Sequence, residues 1–159
     1  MNHRQKVIKE LKEYFIIQEL VGRRTYKKYG ERAFKFFRTE ALESLLITRK
    51  GLGRSITINN WHRGGRFSQR GLRTNVQNMF KQYFSKGRLY LSGHVLACAF
   101  DFDVKGMTPN QVRKWIQDNA HRYPCKIRLE RKLRGKFINW THLDTIQEPQ
   151  NPKIYLFDV

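Results

Sequence analysis

Apolar side chains recur every three or four positions in four stretches of the chain, which predicts four amphipathic helices. Two of these helices have clear start signals. Thr74 with Gln77 three residues later forms a capping-box pattern, and Thr108 precedes a proline at the first helical position. The predicted buried residues are Val7, Ile8, Leu11, Tyr14 and Phe15 in the first helix, Leu42, Leu45 and Leu46 in the second (Thr39 to about Gly51), Val76, Met79, Phe80, Tyr83 and Phe84 in the third (Thr74 to Gly87), and Val112, Trp115 and Ile116 in the fourth.

Shorter stretches indicate strands, most of them in the C-terminal half of the chain. The segment 60–73 is rich in glycine and arginine and is predicted to be a loop, and Arg134-Gly135 is typical of a hairpin turn. Helices before most of the strands favour an α+β fold, with a small antiparallel sheet and flanking helices in a single domain spanning 1–159. The predicted strands are 56–60, 97–104, 126–130, 137–143 and 153–157.

The stretch 97–104 separates two kinds of side chain by strict alternation. One face is apolar and is predicted to join the core. The other face carries small residues that lead to carboxylates, which leaves room beside potential metal ligands. The apolar face consists of Cys98, Phe100, Phe102 and Val104, and the other face consists of Ala97, Ala99, Asp101 and Asp103.

The charge of the chain adds an expectation about its partners. Lys and Arg number 32 against 13 Asp and Glu, a formal net charge of +19, and no acidic residue occurs from Ser44 through Phe100. A polyanionic partner is expected, with nucleic acid as the default. A hydrophobic content of 40% and an aromatic content of 13% exclude a disordered basic tail.

Cysteine usage and hydropathy bear on where the protein works. Cys98 and Cys125 form no CxxC pair, so neither a disulfide framework nor a cysteine zinc site is indicated. No run of 18 apolar residues and no signal peptide core occurs. We therefore expect a monomer without a membrane span that is made in the cytoplasm.

Two histidines and one carboxylate stand in a pattern suited to a metal. His94 precedes Asp101 by seven residues and can fold back toward it from a loop, and His142 lies on a predicted strand after the hairpin. Two histidines plus one carboxylate, with water in the fourth position, are a catalytic rather than a structural zinc set. Taken alone, the spacing of His94 and Asp101 arises often by chance, so the whole pattern carries the prediction.

Ser-x-His-x6-Asp followed by Trp-x-His resembles the zinc peptidases of the D-alanyl-D-alanine carboxypeptidase family. That family includes phage L-alanyl-D-glutamate endopeptidases and shares its fold with the hedgehog signalling domain. Ser92, His94, Ala99 and Asp101 match the pattern, while Ala97 stands where glycine is commoner. The resemblance spans roughly residues 14 to 145. It implies one Zn2+ per chain and a phage lysin that acts on peptidoglycan after release or as a virion component.

The chain departs from the family pattern at the position of the general base. The family usually places it three residues before the last histidine ligand, where this chain has Asn139, whose amide is no base near neutral pH. Glu130 is the candidate. A two-residue hairpin loop would place Glu130 opposite Asn139, and a register change of one residue would move it to the face of Trp140 and His142. A solvated carboxylate, or one paired with neighbouring arginines, is the alternative.

Further residues are predicted around this site, in the loop 60–73 and beside the ligands. Arginines of the loop offer planar forks for substrate carboxylates, and carboxylates two residues after a ligand share its face and can orient a histidine. Ordinary surface roles remain open for all of them. The candidates for substrate binding are Arg63, Arg66, Gln69, Arg70, Ser92 and Trp140, and those for supporting the ligands are Asn139, Asp144 and Asp103.

Two functions follow from these patterns. The first is a zinc-dependent peptidase that hydrolyses peptidoglycan stem peptides, in which the positive charge serves adhesion to an anionic cell wall. The second is a catalytically inactive relative that acts as a basic nucleic-acid-binding or virion structural protein. It is favoured by the net charge and by Asn139.

Overall fold

Six α-helices lie mostly in the N-terminal part of the chain, as a computed structural model of residues 1–159 shows. Short 3-10 turns at Gly30–Phe36, Trp61–Arg63 and Ala120–Arg122 link some of them. None of the helices has both the length and the apolar content needed to cross a membrane. The helices are α1 (His3–Leu11), α2 (Ile17–Leu20), α3 (Arg23–Tyr29), α4 (Thr39–Leu52), α5 (Asn78–Phe84) and α6 (Pro109–Asp118).

The ends of the helices follow local sequence signals. The Thr108 side chain accepts a hydrogen bond from the Gln111 backbone, so α6 has the predicted capping box. Helix α4 begins at Thr39 as expected and ends at Leu52, and the residue that caps it, Gly53, has a φ of 63° in the left-handed region. Helix α1 is shorter than predicted and stops at Leu11, although Phe15 is still buried.

Helix α5 differs most from its prediction. It begins at Asn78 rather than at Thr74, because the Gln77 side chain bonds the Thr74 backbone in a turn that precedes the helix. No residue of α5 is buried, and Phe84 is 74% exposed. The apolar stripe of this helix therefore lies outside the core, so helical periodicity alone was a wrong guide to burial here.

The six strands form one sheet, and with the helices they confirm the α+β class. The pairs β1–β2, β2–β5, β5–β3 and β3–β4 are antiparallel, whereas β6 pairs with β3 in parallel, a departure from the predicted all-antiparallel sheet. The strands are β1 (Ile56–Thr57), β2 (Ala99–Val104), β3 (Ile127–Leu133), β4 (Lys136–Phe137), β5 (Thr141–Asp144) and β6 (Ile154–Asp158).

The two faces of the sheet have different roles. One face joins the hydrophobic core, in which Phe100 stacks on Phe37 with ring centroids 5.5 Å apart. The opposite face of β2 and β5 carries Asp101, His142 and Asp144. Strand alternation thus places the polar group directly behind a packed core. The core face consists of Phe100, Phe102, Ile127, Leu129 and Leu143, all fully buried.

Three predicted strands are shorter than expected. The stretch 56–60 pairs only over Ile56–Thr57, and 137–143 is interrupted between β4 and β5. Strand β2 begins at Ala99 because the φ of Ala97 is 55°, which is not an extended conformation. The alternation predicted that Ala97 shares the face of Asp101. This prediction was wrong, because Ala97 lies outside the strand.

The hairpin turn at Arg134 and Gly135 is confirmed, but its register does not continue along β3. Lys132 pairs with Phe137 and Leu133 with Lys136, as a two-residue loop requires. Continued along β3, this register would place Thr141 opposite Arg128, but Arg128 pairs with Asp144. The chain between β4 and β5 therefore contains three residues more than the hairpin register requires. Since an odd shift reverses the faces, Glu130 does not pair with Asn139 and lies on the face of His142.

Ala97 supplies a direct test of the backbone at the start of β2. We expect Ala97→Val to destabilise the protein by about 1–3 kcal/mol, because a β-branched residue is strongly disfavoured at positive φ. Ala97→Gly is the matched control and should remain within about 1 kcal/mol of the parent, since glycine adopts this conformation freely. Urea unfolding measures both variants, and equal stability of the Ala97→Val variant and the parent would contradict the assignment of strain.

Candidate metal centre

Three side chains of the sequence pattern converge in the structure. Potential ligand atoms of His94, Asp101 and His142 all lie within 4.8 Å of one another. The three residues are 3%, 7% and 7% exposed. Asp101 and His142 are direct partners in the β2–β5 register, while His94 reaches them from the turn before β2. This buried group could hold a metal ion, as the sequence predicted.

The turn that carries His94 depends on small residues. The Cys98 backbone N–H donates to the Gly93 carbonyl at 2.9 Å, which folds the chain back toward the sheet. A Cβ on Gly93 would stand 2.8 Å from the Ala99 Cβ and 3.2 Å from the Asp144 Cβ. Gly93 and Ala99 therefore permit the close approach that brings His94 to Asp101.

Each histidine has one ring nitrogen occupied away from the centre of the group. His94 Nδ1 donates to the Gly71 carbonyl oxygen at 2.9 Å, so Nε2 faces Asp101 Oδ2 at 3.1 Å. His142 Nε2 contacts Asp144 Oδ2 at 3.0 Å, so Nδ1 faces Asp101 Oδ1 at 2.7 Å. Bonds of this kind fix the ring orientation and tautomer of metal-ligating histidines.

The electrostatics of the group favour a cation at its centre. Burial lowers the pKa of His94, which keeps the ring neutral and leaves the Nε2 lone pair facing a carboxylate oxygen. Burial opposes ionisation of Asp101, but His142, whose own pKa is raised and whose Nδ1 contacts Asp101 Oδ1, outweighs it and holds the pKa of this carboxyl well below its ordinary value. Two facing lone pairs repel each other, so a cation bound between them would stabilise the arrangement.

His142 has a carboxylate at each ring nitrogen. Burial lowers its pKa, but the hydrogen bonds to Asp101 and Asp144 outweigh this and raise the pKa to about 10. A neutral imidazole has only one N–H, so one of the two carboxylates then faces a lone pair. A proton or a metal ion at Nδ1 resolves this conflict, and a metal ion would bind His94 and Asp101 as well.

Asp144 is held firmly behind His142. Its carboxylate accepts two hydrogen bonds from Arg128, at 2.9 and 3.1 Å, and a third from the Ile146 backbone at 3.0 Å. Burial opposes its ionisation, but His142 and Arg128 lower the pKa of this carboxyl overall. The structure thus places Asp144 in the orienting position beside His142 that its spacing predicted.

A cavity of about 470 Å³ opens beside the three potential ligands. Three buried polar atoms in its wall have no hydrogen-bond partner, namely Ser92 Oγ, Glu130 Oε1 and Trp140 Nε1. Buried polar groups are almost always paired, so atoms like these are available to a bound substrate or water. The structure therefore brings these three predicted residues together with His94, Asp101 and His142.

Glu130 is a partly buried carboxylate in the wall of this cavity. Burial raises its pKa above the ordinary value for a glutamate, and its side chain pairs with no arginine. The buried Arg113 of α6 fixes the local backbone, because it donates to the carbonyls of Glu130 and Trp140 at 3.2 and 3.4 Å. The alternative considered from the sequence, a pairing of Glu130 with Arg128 or Arg131, is not formed, since both arginines bind other acids.

Six predicted residues do not line this cavity. Arg70 forms an ion pair with Asp103 and stacks on Phe67 at 3.5 Å, so Asp103 supports the loop and not a histidine. The Gln69 side chain accepts a hydrogen bond from the Met79 backbone. The residues that lie away from the cavity are Arg63, Arg66, Gln69, Arg70, Asp103 and Asn139.

Arg73 is the residue at the site that the sequence did not single out. Its Nη2 donates to Asp101 Oδ2 at 3.1 Å, its Nε donates to the Gln69 carbonyl at 2.7 Å, and its Nη1 donates to the Tyr90 hydroxyl. Both Arg73 and Tyr90 line the cavity. Arg73 is one of four arginines in the loop 60–73, and its bond to Asp101 distinguishes it from the others.

Asp144 provides a test of how the group holds a metal. We expect Asp144→Asn to weaken the binding of a divalent metal ion by roughly 10–100-fold, because it removes the charge beside His142 while keeping the side-chain shape. Competition with a chromophoric chelator measures the affinity. Glu148→Gln is the matched control, since Glu148 bonds Arg128 without touching His142. Equal affinities of the Asp144→Asn variant and the parent would contradict the role of Asp144.

Searches of family models, curated proteins and solved structures found no match to this chain. The basis for a functional assignment is consequently the chemistry of the site. That chemistry consists of two nitrogen donors and one carboxylate, a cavity beside them, and an unpaired carboxylate in its wall.

Proposed function

We propose that the protein is a zinc-dependent peptidase that hydrolyses stem-peptide bonds of peptidoglycan, in the manner of a phage lysin. The single observation that carries the proposal is the orientation of the two histidines. His94 Nε2 and His142 Nδ1 both face Asp101, while the other nitrogen of each ring is engaged elsewhere. A purely structural histidine pair has no need of this convergence on one carboxylate.

The donor set supports zinc in particular. Zinc accepts histidine nitrogen and carboxylate oxygen, and catalytic zinc sites have three protein ligands and one open position. His94, Asp101 and His142 supply three ligands, and the adjoining cavity has room for a substrate group in the fourth position. Neither Cys98 nor Cys125 belongs to the group, so a structural thiolate site is disfavoured.

In the proposed hydrolysis, the residues around the metal site have separate roles in proton transfer and in substrate binding. A zinc ion held by His94, Asp101 and His142 would polarise a carbonyl and lower the pKa of its bound water to about 7. The Glu130 carboxylate takes the proton from the attacking water and returns it to the leaving amine, which its unpaired Oε1 leaves it free to do. Ser92 Oγ and Trp140 Nε1 donate hydrogen bonds to peptide carbonyls and hold the substrate in place.

The charge of the chain supports a polyanionic wall as the partner. The net charge is +19, and the acid-free stretch from Ser44 to Phe100 includes the loop and turn that border the centre. Such a surface adheres to carboxylates and phosphates of a cell wall without a separate binding domain. Adhesion of this kind weakens as ionic strength rises.

Metal analysis combined with a wall-digestion assay tests the proposal. We expect about one zinc per purified chain, release of free amino groups from peptidoglycan, loss of this activity with a chelator, and recovery with added Zn2+. A protein without bound metal that also fails to take up Zn2+, and that instead binds DNA with steep salt dependence, would reject the peptidase and favour the nucleic-acid-binding function.

A further inference from the structure

A second cavity lies apart from the metal centre, between α2 and the loop that follows β1. It has a volume of about 230 Å³, and no apolar residue lines it. Thr57 in its wall pairs with Asp103, which follows Asp101 by two residues on β2. The cavity therefore lies further along the same strand, beyond the metal centre.

Asn59 lines this cavity and has an unpaired side-chain donor. The residue is fully buried, and its backbone N–H donates to the Glu19 carbonyl at 3.0 Å. Its side-chain Oδ1 accepts a hydrogen bond from the Arg70 backbone at 2.9 Å, which fixes the orientation of the amide. The Nδ2 group has no partner. Such a buried amide lacks the hydrogen bonds it would have in water.

His62 adds a second unpaired donor. Arg63 Nε donates to His62 Nε2 at 3.0 Å, so a neutral ring has its proton on Nδ1. This Nδ1 is buried and has no partner. The Arg63 guanidinium is exposed at the same cavity and forms no ion pair. The residues that line this small space thus include an unpaired amide nitrogen, an unpaired imidazole nitrogen and an exposed guanidinium.

Glu19 adds a carboxylate to the lining of the cavity, in contrast to the hydrogen-bond donors of Asn59, His62 and Arg63. Its Oε2 accepts a hydrogen bond from the Ile16 backbone at 3.1 Å, which holds the side chain at the start of α2. It is the sole acidic residue lining the cavity. A ligand that satisfies both walls needs acceptor oxygens toward Asn59, His62 and Arg63, and a cationic donor toward Glu19.

We propose that this cavity binds the zwitterion of a small α-amino acid. The ligand carboxylate accepts hydrogen bonds from Asn59 Nδ2, His62 Nδ1 and Arg63, and its ammonium group pairs with Glu19. The absence of apolar lining favours a ligand with little or no side chain, and the volume accommodates one. The proposal is independent of hydrolysis at the metal centre, because no residue of the cavity lines the metal site.

Titration with D-alanine, L-alanine and glycine tests this site in the full-length protein. We expect saturable binding by calorimetry, together with shifts of the Asn59 side-chain amide and His62 ring resonances in NMR spectra. Acetate has only the carboxylate of the zwitterion and methylammonium only its ammonium group, so each should bind at least tenfold more weakly than the amino acids. Binding of acetate as tight as that of alanine would overturn the zwitterion and leave only an anion site.

Two variants test the ammonium contact and the carboxylate contact of the ligand separately. Glu19→Gln keeps an acceptor for the Ile16 backbone but removes the charge, and it should weaken alanine binding at least tenfold. Arg63→Gln should weaken it as well, whereas the control Arg66→Gln, next to the cavity on the same loop, should not. Unchanged spectra on adding all three amino acids would overturn the proposal. Unchanged affinity in the Glu19→Gln and Arg63→Gln variants, with parent-like unfolding curves, would overturn it too.

Discussion

Glu130→Gln is expected to reduce peptidoglycan hydrolysis by about 10²–10⁴-fold while one zinc remains bound. Glutamine has the size of glutamate and keeps an acceptor oxygen, but it cannot take a proton from water. Because Glu130 hydrogen-bonds none of the three ligands, the metal should be unaffected. Release of amino groups from purified peptidoglycan gives the rate, and atomic absorption gives the zinc content.

The same variant is expected to be at least as stable as the parent at neutral pH. Burial raises the pKa of Glu130, so the folded state holds this proton more tightly than the unfolded state does. Stability then falls as pH rises through the interval between the unfolded and folded pKa values, and the ionised side chain destabilises the fold above it. The Glu130→Gln variant lacks the charge and therefore lacks this destabilisation. Urea unfolding of the variant and the parent at pH 7 and pH 4 measures the difference.

Two results would contradict the assignment of Glu130. One is retained hydrolysis in the Glu130→Gln variant, which would place the base elsewhere. The other is loss of hydrolysis together with loss of zinc or of folding, which would make Glu130 a structural residue. Glu31→Gln is the matched control, because Glu31 is an exposed glutamate on the 3-10 turn Gly30–Phe36 and should change neither quantity.

His94→Ala is expected to lower bound zinc from about one per chain to near zero, and to lower hydrolysis to the level of the chelated parent. The His94 ring is one of the three potential ligands, and its loss would leave two donors, too few for a tight zinc site. His94→Gln retains a side-chain donor toward the Gly71 carbonyl and should lose zinc equally. The pair of variants thus separates loss of the ligand from loss of packing.

The control for the histidine variants is His121→Ala. His121 is exposed on the 3-10 turn Ala120–Arg122, away from the cavity, and its variant should keep parent zinc and activity. Circular dichroism shows whether each variant has folded. Folded His94→Ala and His94→Gln variants that bind zinc as the parent does would reject the metal centre, and zinc loss with full hydrolysis would reject its role in catalysis.

Much of the centre was predictable because its residues obey local rules. Alternation along β2 correctly separated Asp101 from the buried Phe100 and Phe102. The short span from His94 to Asp101 permits only a turn back onto the strand, and small residues at Gly93 and Ala99 allow it. His142 was predictable only through its resemblance to a known motif, since it lies 41 positions after Asp101 in the chain.

Other features depend on contacts that no local rule describes. The hairpin register predicts that Glu130 pairs with Asn139, but the three residues gained before β5 reverse the face. Four arginines of the loop 60–73 are equivalent in sequence, yet only Arg73 donates to Asp101, while Arg70 is paired with Asp103. Helix α5 has an apolar stripe, but no core surface lies next to it.

The chain sequence alone was sufficient for the α+β class, the capping box of α6, the two faces of β2 and the three potential metal ligands. Each of these follows from interactions within a few residues, or from a motif whose members are identifiable by type. The tertiary structure decided the face of Glu130, the choice of Arg73, and the separate cavity at Asn59 and His62. These depend on strand register and on which distant groups remain unpaired, and both are properties of the packed molecule.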